Sequence, residues 1–219
     1  MMTGPILPNY YLDDPRLRAA AAPYTFFLPS AAEIAAVHPN DLVKLLFEYT
    51  HETEEYAGER MWVKVRRAEG NQLSGMLDNQ PYEPTSSLKP GDAISFERHH
   101  ILAIIWDRPD EAPPSSEYRE YWERCLVDDC VLDGSEPIEY LYREEPDMAQ
   151  EGDKHADSGW RVRGRFNGAS DEELAERKAS YVALGAVLNR DDSWLAWIDE
   201  PAGIRLTRNF ETGIYVSEE

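Results

Sequence analysis

One short motif in the sequence, Asp157-Ser158-Gly159, has the residue types of a catalytic site. In aspartic proteases two such triplets each supply a carboxylate, and the two carboxylates share one proton to act as general acid and base. This chain holds a single Asp-Ser-Gly triplet, so the same chemistry would need a symmetric dimer. A tight turn into Trp160 is the plainer interpretation, and we predict no catalysis here.

The five histidines and two cysteines do not form a metal-ligand pattern. His99 and His100 are consecutive, so on a strand their rings point to opposite faces and cannot bind one ion together. Cys125 and Cys130 lack the second pair that a structural zinc site needs, and two cysteines are too few for a disulfide scaffold. The sequence therefore predicts no metal, no cofactor and reduced thiols.

The larger catalytic and nucleotide-binding motifs are absent from the sequence. It contains no G-x-S-x-G, no H-E-x-x-H, no phosphate-binding loop and no dinucleotide-binding glycine pattern. These motifs position a nucleophile, a metal-ligand pair or phosphate-binding backbone amides. The adjacent pairs Asp128-Asp129 and Asp191-Asp192 suit turns and helix caps better than acid/base catalysis. We therefore expect a protein that is not an enzyme.

The composition is strongly acidic, with 42 Asp and Glu side chains against 22 Lys and Arg and a formal net charge of -20. A surface this negative repels phosphate backbones, so we expect no nucleic-acid partner. The same field attracts a basic protein and raises its association rate more than its affinity. Acidity that serves only solubility is the alternative that composition leaves open.

The N-terminal sequence has no basic region followed by an apolar stretch, and the chain has no run of 18 apolar residues. A standard secretion signal needs the first feature, and a membrane-spanning helix needs the second. We therefore expect a cytoplasmic protein with no membrane partner. The sequence does not indicate an oligomeric state.

Two runs with period-2 alternation flank an acidic loop and predict an antiparallel strand pair. In the first run Ile138, Tyr140 and Tyr142 would share one face. The return run would carry a basic stripe made of Arg161, Arg163 and Arg165. We expect nearby carboxylates to neutralise this stripe, because opposed charges on neighbouring strands are common. The expected carboxylates are those of Glu139, Glu144 and Glu145.

The loop between these runs, Glu144 to Gly159, is 16 residues long and is the candidate partner-binding surface. Loops longer than about 12 residues are uncommon in compact domains and are often functional. Its acids greatly outnumber the single base, Lys154, which suits a basic protein partner. A solvated insertion without a role is the alternative. The candidate contact residues are Glu144, Glu145, Asp147, Glu151, Asp153, Asp157 and Trp160.

The composition changes at Asp107–Ser116, whose Pro, Ser and acidic residues are typical of a linker. Before it, alternating runs at Met61–Arg67 and Gln72–Leu77 predict a hairpin, and further short strands indicate a curved sheet or partial barrel. After it, we expect a mixed antiparallel sheet with two or three helices. The sequence thus predicts an α+β protein of two small domains, the first mainly β at residues 1–110 and the second α+β at residues 111–219.

Local patterns give further predictions for individual segments. Tyr24–Leu28 and the apolar run Val182–Leu188 are expected to be strands. Asp41–Tyr49 could be a helix or a strand, and its polar flanks favour a strand. The spacing of aromatic side chains in Glu117–Arg124 predicts a helix. Ser170 to Glu173 has the pattern of a capping box and predicts the start of a helix.

The first half of the chain resembles a bacterial family called domain of unknown function 2314. Three blocks in the right order carry the resemblance: Glu59 to Val65, Gly75 to Pro81, and Leu88 to Asp92 with the following Ile94-Ser95-Phe96. The family brings no established chemistry with it. The resemblance therefore implies a domain and not an activity.

The second half, residues 125–217, resembles bacterial immunity protein family thirty-three, formerly domain of unknown function 2185. The blocks that carry it are Tyr142 to Pro146, Asp157 to Arg161, and Gly203 followed by Arg208-Asn209. The resemblance implies a non-catalytic protein that binds and neutralises a toxin of a polymorphic toxin system. The acidic loop itself would suit the basic cleft of a nuclease toxin. A housekeeping binding or regulatory module and an unrecognised hydrolase are the alternatives. The loop Asp147 to Ala156 is longer than is usual in the family, so its partner contacts are expected to be its own.

Overall fold

The computed structural model describes residues 9–218, which form two compact units. The first unit comprises residues 9–21 and Phe26–Tyr118, and the second comprises Ala22–Thr25 and residues 119–218. Each unit is built on one β-sheet with few helices, which confirms the predicted α+β class. Within the described residues no helix has the length and apolar character needed to cross a membrane.

Short alternating segments give the first unit a strongly curved sheet, the partial barrel that the sequence predicts. Its strands are β1 (Tyr10–Leu12), β2 (Leu42–Tyr49), β3 (Gly58–Glu69), β4 (Gln72–Leu77), β5 (Ala93–Glu97) and β6 (Ala103–Ile105). Its helices are α1 (Pro15–Ala21) and α2 (Ala31–Ala36), with 3₁₀ turns at Arg98–His100 and Pro109–Glu111. The strands are antiparallel in the order β1-β2-β3-β4-β5, and β6 also pairs with β2.

The β3–β4 hairpin shows how the sequence pattern produces this sheet. Met61, Val63 and Val65 are buried in the core of the unit and alternate along β3 with the more accessible Trp62, Lys64 and Arg66. Gly70 occupies the turn with φ of 57°, a left-handed conformation that glycine adopts without steric cost. The predicted hairpin and the predicted strand at Asp41–Tyr49 are therefore confirmed.

The second unit has a mixed sheet with three α-helices, as predicted. Its strands are β7 (Arg124–Asp128), β8 (Ile138–Arg143), β9 (Asp157–Gly164), β10 (Ala179–Ala183), β11 (Arg205–Arg208) and β12 (Tyr215–Ser217). Its helices are α3 (Asp129–Leu132), α4 (Asp171–Ala175) and α5 (Leu184–Leu188), with a 3₁₀ turn at Leu195–Trp197. The strand order is β10-β7-β9-β8-β11-β12, in which β7 and β9 are parallel and the other neighbours antiparallel. Ser170 caps α4 in the predicted capping box.

The segment Glu117–Arg124 is not the helix that its apolar spacing predicts. The ring of Tyr118 stacks on Phe27 at 4.8 Å and its hydroxyl donates to the Leu28 carbonyl, all within the first unit. Tyr121 is instead buried in the core of the second unit. Side chains spaced for one helix face thus pack in two different units, and tertiary contacts override the local propensity.

Two predicted strands are also wrong. Val182–Leu188 contains the end of β10 and the whole of α5, because a short apolar run buried on all sides fits a helix as well as a strand. Tyr24–Leu28 forms no strand, and its residues are divided between the two units. The Tyr24 N–H donates to Asn189 Oδ1 at 2.9 Å and the Tyr24 hydroxyl to Asp192 at 2.6 Å, which holds Ala22–Thr25 in the second unit.

A β-bulge changes which side chains of β8 face the core. The pairing of β8 with β9 shifts register between Ile138 and Tyr140, and both Ile138 and Leu141 are fully buried. Tyr140 and Tyr142 lie half-buried with their ring centroids 5.7 Å apart. The prediction that Ile138 shares a face with both tyrosines is therefore wrong, because the extra residue at the bulge interrupts the alternation.

Candidate functional site

Arg161 on β9 is the centre of a buried charge cluster. It forms a bidentate pair with Asp157 of the same strand, with Nη1 2.9 Å from Oδ1 and Nη2 2.8 Å from Oδ2. Residues four apart on a strand lie on one face, which brings these side chains together. Arg161 Nε also donates to Glu144 Oε1 at 2.6 Å, and Nη2 donates to Asp147 Oδ1 at 3.1 Å. Three carboxylates thus meet one guanidinium where β8 ends.

Backbone amides complete the environment of the Asp157 carboxylate. Its oxygens accept hydrogen bonds from the N–H of Gly159 at 3.0 Å, Asp147 at 3.2 Å and Met148 at 3.1 Å. Burial acts to raise the pKa of Asp157, but the bonds from Arg161 and the backbone outweigh burial and lower that pKa to about 2. Hydrogen bonding to Asp157 raises the pKa of Arg161. The carboxylate is therefore ionised and fully bonded, which leaves it unsuited to general acid catalysis.

Gly159 allows the two ends of the acidic loop to approach each other. It has φ of 80°, and its carbonyl accepts the N–H of Glu144 at 3.0 Å. A Cβ atom at this position would collide with the Glu144 carbonyl oxygen. Only glycine fits, because the position requires both a left-handed backbone and the absence of a side chain.

Arg143 connects this cluster to the C-terminal part of the unit. Its Nε donates to the Ser158 carbonyl at 2.9 Å and its Nη1 to the Glu200 carbonyl at 2.6 Å. Its own main chain bonds to Ile204 at 3.0 Å and to Gly203 at 2.6 Å. Arg143 therefore brings the first two sequence blocks of the immunity-protein resemblance next to Gly203 of the third at one end of the sheet, whereas Arg208-Asn209 lie at the far end of β11.

The acidic loop is shorter than predicted and is anchored at several points. Asp157 to Gly159 begin β9, so the connection between the strands is residues 144–156. Arg124 pairs with Asp153 at 2.6 Å, and the Tyr181 hydroxyl donates to the Met148 carbonyl at 3.3 Å. An open depression of about 400 Å³ lies between Arg124 and residues 150–155.

The seven predicted contact residues divide into accessible and buried side chains. Glu144, Glu145, Asp147 and Glu151 are accessible to solvent. Asp153 is largely covered because it pairs with Arg124. The accessible members remain predicted partner contacts.

The Asp157 and Trp160 side chains are both buried and organise the unit, and for Trp160 a core role is the alternative that its place at the root of the loop suggests. Trp160 packs edge-to-face on Trp194 with ring centroids 5.2 Å apart, and its indole N–H donates to the Ile198 carbonyl at 3.1 Å. A buried indole with its polar atom bonded serves the core. In this structure neither side chain is presented to a partner.

Two of the three arginines of the basic stripe, Arg161 and Arg163, pair with carboxylates, and among these only Glu144 was expected. Arg165 lies instead over the ring of Phe210, 4.5 Å from its centroid. Arg161 pairs with Glu144 as predicted. Arg163 lies 3.1 Å from Asp128 of β7 and not beside an expected acid. The Glu139 carboxylate instead accepts the main-chain N–H of Phe166 at 2.6 Å. The sequence does not indicate Asp128 as a partner, because it does not reveal that β7 lies beside β9.

The structure shows a groove next to the Arg161 cluster that was not predicted from the sequence. It has a volume of about 380 Å³ and is lined by residues 142–145 at the end of β8 and residues 202–205 at the start of β11. Tyr142 lies directly opposite Arg205 in the sheet. The sequence did contain a clue to this groove, because the two blocks that line it, beginning at Tyr142 and Gly203, both carry the immunity-protein resemblance. Among the side chains that the structure describes, no group of His, Cys, Asp or Glu is arranged to hold a metal ion.

Comparison with known families agrees with this geometry. Residues 125–218 match the family model described as Immunity protein Imm33 domain. Residues 19–106 match the model described as Uncharacterized protein conserved in bacteria (DUF2314). Both resemblances predicted from the sequence are confirmed. No curated protein and no solved structure matches the chain.

Proposed function

We propose that this chain is an immunity-type protein that neutralises a bacterial protein toxin by binding it. The observation that carries the proposal is the match of the immunity-protein model to residues 125–218. Arg143 and Arg161 support it, because they join the blocks of that resemblance into one cluster beside an exposed acidic loop.

Neutralisation would proceed by occlusion and not by chemistry on the toxin. The cluster holds Asp157 as a fully bonded carboxylate, and its other carboxylates bind Arg161 or face solvent. Charged groups arranged in this way provide a complementary surface for a partner. Both the non-catalytic role and a cytoplasmic location belong to the proposal.

The toxin that fits this surface is basic. Glu145 and Glu151 are exposed on the loop, and the chain carries a net charge of -20. A nuclease toxin must present a basic cleft to the phosphate backbone of its substrate, so an acidic protein can cover that cleft. The acidic loop would then compete with the nucleic acid for the same cations.

Co-expression tests this function directly. The toxic C-terminal region of a large secreted protein encoded beside this chain would be expressed in a host with and without the chain. Growth should be restored only with the chain, and the two purified proteins should form a complex. An unrelated toxin of similar charge serves as the control for specificity. Absence of both binding and protection would instead favour a housekeeping binding or regulatory module.

A further inference from the structure

The hairpin of β11 and β12 exposes apolar side chains at the edge of the second unit's sheet. Ile214 is 63% exposed and Val216 57%, whereas Tyr215 between them faces the core. Val216 lies opposite Thr207, and Thr207 lies opposite Tyr140, so these side chains form a row across three strands. We call this surface the hairpin face; it consists of Tyr140, Thr207, Ile214 and Val216.

The backbone of β12 is open on one side. Within residues 9–218, β11 is the only strand that pairs with β12. The Ile214 carbonyl accepts an inward hydrogen bond at 2.9 Å, and the Glu218 N–H donates to β11 at 3.0 Å. Antiparallel pairing alternates, so the main-chain groups of Tyr215 and Ser217 point to the open edge. An open edge of this kind accepts a strand from a partner.

We propose that the toxin docks on the hairpin face and adds an extended segment to the edge of β12. This inference rests on the proposed function and assigns its binding surface. The hairpin face provides apolar and aromatic area of the kind that dominates binding energy at interfaces. Next to it, Tyr142 and Arg205 line the groove of about 380 Å³, which can receive a side chain of the partner.

Charge decides between a toxin and a second copy of this chain as the occupant. Two copies that each carry a net charge of -20 repel one another. Exposed carboxylates border the surface, with Glu145 beside the groove and Glu218 at the end of the hairpin. Arg143 and Arg205 also line the groove, so the preference for a basic partner rests on the net charge of the chain. A basic protein relieves this repulsion, so the surface fits a basic partner.

The two surfaces are assigned different roles in binding. Exposed charges on the acidic loop act at a distance and set the association rate. Apolar contacts form only after docking, so removing them changes the dissociation rate. This separation distinguishes the hairpin face from the loop in one kinetic experiment.

The test uses the full chain and the same toxin region, inactivated by substitution in its own active site. Ile214→Ala with Val216→Ala removes apolar area from the hairpin face, and Ser217→Pro removes one outward N–H. Each should raise the dissociation rate by about tenfold or more, with the association rate changed less than about twofold. The matched control, Leu17→Ala with Ile105→Ala, truncates similarly exposed side chains of the first unit and should change neither rate.

Each other outcome overturns the inference in a distinct way. Tight binding by the wild type with unchanged dissociation of both variants would place the toxin elsewhere and leave the proposed function standing. A wild-type dimer in sedimentation that the double variant dissociates would make the hairpin face a contact between copies. A wild type that does not bind the toxin region would overturn the proposed function together with this inference.

Discussion

Arg161 and Asp157 form an ion pair in which both side chains are only 2% exposed to solvent. Removing two charges from water is costly, and their attraction offsets that cost only when the geometry is good and the remaining donors and acceptors are bonded. Here the pair is bidentate, and Glu144 and the main-chain amides bond the rest. The pair is therefore stable as a unit and vulnerable to the loss of either partner.

The Asp157→Asn variant should strongly destabilise the second unit. It removes the only buried carboxylate among the three that meet the Arg161 guanidinium, while Glu144 stays paired with it. Breaking a buried pair costs about 3–5 kcal/mol when the remaining charge is uncompensated, so we expect the lower end of that range, about 3 kcal/mol. Urea unfolding measures the change in the free energy of unfolding. Glu69→Gln is the control, because Arg67 and Glu69 are both exposed and such pairs contribute about 1 kcal/mol or less. Equal effects of the two variants would show that the Arg161 cluster is not a structural centre.

The contribution of Asp157 should disappear in acid. Its folded pKa of about 2 lies below the ordinary value of 3.8, so the ionised form is favoured by folding. The corresponding stability, about 2 kcal/mol, is present above pH 4 and is lost as the pH falls through 2. The difference in unfolding free energy between wild type and Asp157→Asn, measured from pH 6 to 2, should therefore shrink. A constant difference would contradict the lowered pKa.

Two glycines with nearly the same backbone conformation allow the cost of a left-handed backbone to be measured separately from the cost of a steric clash. Gly159 has φ of 80° and Gly152 has φ of 81°, but a Cβ would collide with the Glu144 carbonyl only at Gly159. Gly152→Ala should cost about 1–2 kcal/mol for its left-handed backbone. Gly159→Ala should cost more and release the loop from Arg161. Thermal unfolding and protease cleavage within residues 144–156 would measure both effects, and equal results would show that the close approach is unimportant.

Charge reversal on the loop should slow toxin association without unfolding the protein. Glu145 and Glu151 are the suitable positions, because Asp153 pairs with Arg124 and its substitution would also disturb the loop. Glu145→Lys with Glu151→Lys should lower the association rate several-fold at low salt, and high salt should remove the difference. Asp110→Lys with Glu117→Lys makes the same change in net charge in the first unit. If both pairs slow association equally, net charge and not the loop steers the partner.

The sequence reveals the hairpins and caps because these depend on neighbouring residues. Alternation along Met61–Arg67, the turn at Gly70 and the capping box at Ser170 each report local geometry, and the structure confirms all three. The Arg161–Glu144 ion pair could also be predicted from the sequence, because the two residues lie near opposite ends of the same loop.

The remaining features depend on contacts that the sequence does not encode locally. Tyr118 and Tyr121 fit one helix face by spacing but pack in different units. The parallel pairing of β7 with β9 brings Asp128 to Arg163 across 35 positions of sequence. The burial of Trp160 depends on Trp194, which lies far along the chain. Periodicity cannot supply such pairings, because they are fixed only when the sheet is assembled.

Tyr24 belongs to the second unit but is synthesised long before the residues that it binds there. Its main-chain partner, Asn189, lies 165 positions later, so Ala22–Thr25 leaves the ribosome long before its binding place exists. At translation rates of about 5–20 residues per second, that wait is roughly 8–33 s. The first unit can collapse during this interval, whereas the second cannot bind Ala22–Thr25 until Asn189 and Asp192 have been synthesised.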